Sequence, residues 1–230
     1  TLARAAAHTA GLVHIADELL HDELEGIGGS RPNTLSISAL KSLSSVRASL
    51  LIRALCQKQQ LAMPATAHIE ELLHKQLHAD ASRQILVNWP GAEIRRFQDD
   101  LYIQQPMPPV PASNWEYEWS GMHALDIPEI HGRLILQPRH GSGIRQSLVK
   151  AGLTVKPRGG GEYCQPAGDT HRRDLKTIFQ SYHIPPWERA RMPLIYHGDE
   201  LLAVADIVIS QGASATGNES GYEVVWQSFH

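Results

Sequence analysis

The sequence has little of what most sharply narrows a function. Its two cysteines, Cys56 and Cys164, stand 108 positions apart, which fits neither a CxxC redox pair nor a zinc knuckle. So low a count points to a reducing cytosol, with each thiol acting as a small buried hydrophobe. No apolar run approaches the roughly 18 residues needed to cross a bilayer, and the longest candidate, Leu201 to Ile209, is interrupted by Asp206. A soluble cytoplasmic chain with no membrane partner is therefore expected. There is no GxSxG elbow, no GxxxxGK[ST] and no strand-GxGxxG-helix unit; Gly26 to Ser30 is glycine-rich but lacks both the lysine and a preceding strand. Among 13 histidines, His74 and His78 have the i, i+4 spacing that chelates zinc from a helix. No third ligand completes a set such as HExxH, so neither a metal nor a catalytic residue is assigned. The opening Thr1-Leu2-Ala3-Arg4 has no initiator methionine and no basic-then-apolar signal segment, which reads as the start of a fragment.

What is present is ordinary in bulk. The chain has 230 residues, 42% of them hydrophobic and 20% charged, a composition that supports a sizeable core in one large or two small domains. The net charge of -3 conceals an asymmetry. Residues 1–138 hold 11 basic and 15 acidic side chains, residues 139–196 hold 10 and 4, and residues 197–230 hold 0 and 5. A local excess of positive charge, with five arginines between Arg158 and Arg191, is the footprint of a surface for phosphate. The plainer explanation is a solvated face paired with the acidic tail.

Periodicity predicts an α+β chain. Leu2, Ala5, Leu12, Ala16, Leu19, Leu20 and Leu24 recur at helical steps, so an amphipathic helix should end before Gly26. After a loop from Gly26 to Asn33, Ser38 and Ser44 can each cap a helix, and Thr66 can cap a third through Leu77. Residues Gln84 to Gln104 change to alternation with turns at Pro90-Gly91 and Asp99-Asp100, a meander of short strands appended to a small helical bundle. Four prolines between Gln105 and Ser113 form a stiff linker and the best domain boundary. Beyond it the pattern predicts a β-rich α+β domain: strands near Trp115–Trp119, Arg133–Gln137 and Leu153–Arg158, a hairpin Pro193–His197 and Leu201–Ile209, and a last strand Glu223–Phe229. Its one long helix is expected to begin near Asp169 or Thr170 and to end at Pro185-Pro186.

Chemistry concentrates in Lys156-Pro-Arg158-Gly-Gly-Gly-Glu162, Asp169-Thr-His171-Arg172-Arg173-Asp-Leu-Lys176 and Ile184-Pro-Pro-Trp187-Glu-Arg189-Ala-Arg191. On the expected helix Arg172, Lys176 and Gln180 fall at i, i+4 and i+8, opposite Leu175, Ile178 and Phe179. Arg158 before three glycines could aim a guanidinium where the backbone approaches a phosphate closely. A lone triple glycine is also explained by a plain turn. Arg95, Arg96 and Tyr102 offer a second contact to the same nucleic acid or merely the outer face of a hairpin. Trp187 could stack on a base or plug the core.

The phrases Arg158-Gly-Gly-Gly-Glu162, His171-Arg-Arg-Asp-Leu-Lys176, Ile184-Pro-Pro-Trp-Glu-Arg189, Pro193-Leu-Ile-Tyr196 and Gly198-Asp-Glu-Leu201 closely resemble the C-terminal part of bacterial tRNA(Ile)-lysidine synthase. Trp89-Pro-Gly-Ala-Glu-Ile-Arg-Arg96 with Leu101-Tyr102 resembles that family's middle domain, and Glu223-Val-Val-Trp-Gln227 its C-terminus. The resemblance implies a linker helix over residues 1–30, a substrate-specifying helical domain over 31–108 and a C-terminal tRNA-binding domain over 109–230. It implies an ATP-dependent ligase that adenylates cytidine 34 of tRNA(Ile) and joins lysine to it. ATP and Mg then belong to an N-terminal domain carrying an SGGxDS loop that is not in this sequence, so this chain alone is expected to hold no cofactor and to be inactive. The partners implied are tRNA(Ile) for this chain, and lysine and ATP for the intact enzyme. The tRNA contacts implied are Arg158, His171, Arg172, Arg173, Lys176, Arg189 and Arg191, with Arg95 and Arg96 beside them. The rival class is a non-catalytic binding or scaffolding module using the basic face for an acidic protein.

Overall fold

The structure, a computed structural model, describes residues 18–77, 85–110 and 114–229. Most of the expected helix from Leu2 to Leu24, His78 of the histidine pair and the end of the proline linker lie outside the described residues. The chain divides into two compact units that meet between Met107 and Pro108. Both are mixed, and the protein is of the α+β class.

In the first unit α1 covers residues 18–26. A three-residue strand, β1 (Thr34–Ser36), then leads directly into α2 (Ile37–Ser42) and α3 (Ser45–Lys58). The caps are side-chain oxygens at Ser36 and Ser44, which accept from the Ala39 and Arg47 N–H groups. The first cap is thus Ser36 and not Ser38. The helix α4 (Thr66–Glu71) starts without a side-chain cap and runs on as a single π turn, Leu72–Gln76. The meander β2 (Leu86–Trp89), β3 (Ala92–Phe97) and β4 (Asp100–Gln104) forms an antiparallel sheet in the order β1-β4-β3-β2. Leu40, Leu51, Ile52 and Leu55 of the helices and Ile94, Leu101 and Ile103 of the sheet share one buried core.

Two aspartates at the β3–β4 turn fasten the segment before α2. Asp100, itself buried, accepts the Ser30 N–H at 2.7 Å together with the Ser30 hydroxyl. Asp99 accepts the Ser36 and Ser38 hydroxyls at 2.7 and 2.8 Å and the Ser38 N–H at 3.0 Å. Gly29 passes so close to Asp100 and Thr34 that a Cβ there would overlap both side chains.

The second unit holds two antiparallel sheets. The first is built from β5 (Tyr117–Trp119), β9 (Leu153–Lys156), β12 (Leu194–His197), β13 (Glu200–Val204) and β14 (Val208–Ile209), in the order β14-β13-β12-β9-β5. The second comprises β6 (Leu125–Ile127), β7 (Gly132–His140), β8 (Ile144–Arg145) and β15 (Ser220–Ser228), in the order β6-β7-β15-β8. A two-stranded ribbon, β10 (Tyr163–Cys164) with β11 (Arg173–Asp174), stands apart. Three short helices complete the unit: α5 (Gln146–Ala151), α6 (Leu175–Ser181) and α7 (Pro186–Arg189). Trp119, Leu134, Val155 and Ile195 lie in one apolar cluster, whereas Ile178, Phe179, Leu194 and Val204 lie in a second, under α6.

Three expectations are corrected here. The expected strand Leu201–Ile209 is broken at Ala205, whose positive φ of 43° turns the chain so that β14 folds back on β13. The helix expected from Asp169 or Thr170 begins only at Leu175 and is seven residues long. Residues 173 and 174 are extended and paired with Cys164 and Tyr163, and Asp174 caps the helix by accepting the Thr177 N–H at 2.7 Å. Pro185-Pro186 ends nothing by itself; it opens the single turn α7, where proline at a helix start is pre-shaped for the bend.

Candidate nucleic-acid interface

The basic segments converge around the ribbon β10–β11 and the start of α6. Between β9 and β10 the chain turns through Gly160 and Gly161, at φ +96° and +82°, a conformation that side chains rarely adopt. The turn closes on Glu162, whose Oε1 accepts the N–H of Gly159 at 2.6 Å and of Gly160 at 2.7 Å. Arg158 Nε lies 3.5 Å from Glu162 Oε2, and its guanidinium sits 5.4 Å from the centre of the Phe179 ring. Arg189 donates from Nε to the Ile184 carbonyl at 2.8 Å. Burial, and next the charge of Arg158, hold the Arg189 pKa below the ordinary arginine value, which places the two cations in one electrostatic neighbourhood.

Lys176 projects from the exposed side of α6, away from buried Leu175, Ile178 and Phe179. Arg172 and His171 are exposed on the loop before β11. The expected i, i+4, i+8 stripe is therefore not a feature of one helix: Lys176 and Gln180 share α6, and Arg172 precedes it. The side chains of Arg172 and Lys176 make no hydrogen bond and no close ion pair among the described residues, although the Lys176 N–H and charge both act on the Asp174 carboxyl at the start of the helix. This differs from Arg139, which pairs with Glu223 of the acidic tail at 2.7 Å. The pairing expected of a merely solvated face holds for Arg139 and not for these two. Beside Arg172 opens a cleft of about 730 Å³, edged by Glu162, Tyr196, Asp199, Glu200 and Gln211. Burial, and then the charge of Glu162, raise the Tyr196 phenol above its ordinary pKa.

Other predicted contacts go elsewhere. Arg173 is taken by an ion pair with Asp169. Arg191 is 6% exposed and donates to the Pro108 carbonyl, so it fastens the incoming chain to the second unit and offers little to a ligand. In the first unit Arg95 grips the buried Glu93 through two hydrogen bonds of 2.6 and 3.1 Å, and Gln104 adds a third to the same carboxylate. Arg96 is buried and donates to the Gln98 carbonyl at 3.1 Å, and Tyr102 is buried too. Trp187 is half-buried. What sequence reading missed is the role of the carboxylates. Glu162 lies three residues after Gly159, and Asp169 four before Arg173, spacings that announce local partners.

Among the described residues no group of three or more His, Cys, Asp or Glu side chains could hold a metal ion, and no helix is long and apolar enough to cross a membrane.

Fold and site together define a two-unit α+β chain that carries a loop-and-helix cationic face. Residues 35–102 match the family model of the TilS substrate binding domain, and residues 153–226 match that of the TilS substrate C-terminal domain, together more than half of the chain. The chain belongs, through these two domains, to the tRNA(Ile)-lysidine synthase family. A tRNA(Ile)-lysidine synthase of Coxiella burnetii is 32% identical over 223 residues, covering 97% of this chain and 49% of the relative. Those of Ralstonia nicotianae and Alkalilimnicola ehrlichii are 30% and 35% identical, covering 98% and 83% of this chain and 50% and 42% of theirs. The chain thus spans about half the length of the curated relatives it matches. A crystal structure of a TilS C-terminal domain aligns with a TM-score of 0.40 at 21% identity, covering 50% of this chain and 99% of that one.

Proposed function

We propose that this chain is the tRNA-binding portion of a tRNA(Ile)-lysidine synthase, the cytoplasmic ligase that joins lysine to cytidine 34 of tRNA(Ile) at the expense of ATP. Residues 31–108 serve as its substrate-specifying domain and 109–230 as its C-terminal tRNA-binding domain. ATP and Mg are assigned, in this proposal, to the N-terminal domain that the family resemblance implies and not to the two domains matched here. The observation that carries the reading is the exposure of Arg172 and Lys176, without ion pairs among the described residues, in the segment that matches the C-terminal domain model.

Arg158, His171, Arg172, Lys176 and Arg189 form the phosphate-facing set in this proposal, and Arg173, Arg191, Arg95 and Arg96 serve the fold. About four phosphate contacts, each adding roughly -0.9 to the slope of log affinity on log salt, weaken binding on the order of a hundredfold between 50 and 200 mM salt. The double variant Arg172→Ala with Lys176→Ala, which leaves the buried face of α6 intact, should bind tRNA more weakly and with about half that slope. A folded double variant with unchanged affinity and slope would refute the assignment.

A further inference from the structure

The glycine turn holds an anion of its own. Two successive backbone N–H groups, those of Gly159 and Gly160, converge on one carboxylate oxygen of Glu162, and convergent N–H groups of this kind form a concavity that binds anions generally. The fit is incomplete. Glu162 Oε2 and Arg158 Nε are both buried and 3.5 Å apart, and neither makes a hydrogen bond among the described residues. A second cation is near, because Arg189 lies close enough to feel the charge of Arg158. On the outer side nothing stands within 4 Å of where a Cβ would sit on Gly160 or Gly161, so the turn is open to an approaching group. Arg158 is braced from behind by the ring of fully buried Phe179.

We propose that the Gly159 and Gly160 N–H groups and the Arg158 guanidinium form a site for one phosphodiester of bound RNA, kept closed in the free chain by the Glu162 carboxylate, which the phosphate displaces. The inference rests on the tRNA-binding reading above. A phosphodiester presents two anionic oxygens where the carboxylate presents two, and it does so on a strand that can be anchored at the same time by Arg172 and Lys176. That anchoring raises the effective concentration of the phosphate at the turn, so it can replace a tethered carboxylate where free phosphate competes poorly. Glu162 then acts as a filter: it keeps the nest occupied against small anions and yields to RNA held at several points.

The test follows Gly159 and Gly160 directly. In the chain labelled with ¹⁵N-glycine, both amide resonances should shift on titration with tRNA, and much less with inorganic phosphate or with sodium chloride at matched ionic strength. Glu162→Gln keeps an oxygen to accept the two N–H groups and removes the competing charge. It should bind tRNA about tenfold more tightly and let inorganic phosphate move the two amides at lower concentration. Silent glycines in a tRNA complex that retains its salt dependence overturn this inference and leave the proposed function standing. A folded Glu162→Gln chain that binds tRNA no more tightly overturns it as well. Should that variant fail to fold, the wild-type titration decides alone. Glycines that answer inorganic phosphate in a chain that binds no tRNA would refute the tRNA-binding reading, and with it the RNA phosphodiester as the ligand.

Discussion

Gly29 shows how much one missing side chain can matter. The loop from Gly26 to Asn33 carries no periodicity, and its glycines look like simple punctuation in the sequence. In the fold Gly29 lies against Asp100 and Thr34, and Asp100 cannot step aside because Ser30 holds it through backbone and hydroxyl. Gly29→Ala should therefore cost about 1–3 kcal/mol of stability, as overpacking typically does. Urea denaturation of the variant reads this directly, and an unchanged midpoint would mean that the loop yields. The basic residues teach a parallel lesson. Charge counting singled out one stretch, yet it could not separate Arg172 and Lys176 from Arg173 and Arg191, because an arginine held by Asp169 or turned toward the Pro108 carbonyl contributes the same unit charge to the count. Where a short-range carboxylate partner was written in the spacing, as for Arg173, the distinction was legible; for Arg191 the partner is 83 residues away and only the fold reveals it.

At the scale of elements, what could be read tracked length and capping. The 14-residue α3 with Ser44 before it was plain from period and cap, and so was the β2–β3–β4 meander from its turn residues. The strand β1 was not, because three residues leave no room for alternation, and α5 was missed because six residues make less than two turns. The start of α6 was misplaced for a different reason: Asp169, Thr170 and Asp174 all have capping side chains, and the pairing of β11 with β10 chooses among them. The N–H of Thr177, then its hydroxyl, hold the Asp174 carboxyl below the usual aspartate range, against a smaller opposing effect of burial. A carboxyl whose folded pKa is depressed stabilises the fold above its unfolded pKa, near 3.9, and loses that contribution as pH falls through the lower folded value. Thermal melts between pH 7 and 2 should accordingly show a shallower acid limb for Asp174→Asn than for the parent chain, and identical limbs would exclude the cap as a source of acid sensitivity.

For the whole molecule, the expected activity is a negative one with a clear readout. The proposed function leaves the ATP chemistry to a part of the enzyme other than the two matched domains, and the chain spans about half of its relatives. Incubated with ATP, lysine and tRNA(Ile), the chain alone should release no AMP above an enzyme-free control, and AMP release would mean that the chemistry sits in this chain. The two units also differ in the order in which they can form. In the first, β1 pairs with β4, so its sheet is complete by Gln104. In the second, β15 runs between β7 and β8, and each of its nine residues pairs with one of β7, beginning with Ser220 opposite His140. Until residue 228 has left the ribosome that sheet lacks an inner strand, whereas the strands of the other sheet, beside which the basic segments lie, are all made by Ile209. The C-terminal strand is thus the closing element of the second unit, and a cut before Ser220 would leave β7 without its long partner while every strand around the basic segments remained in the chain.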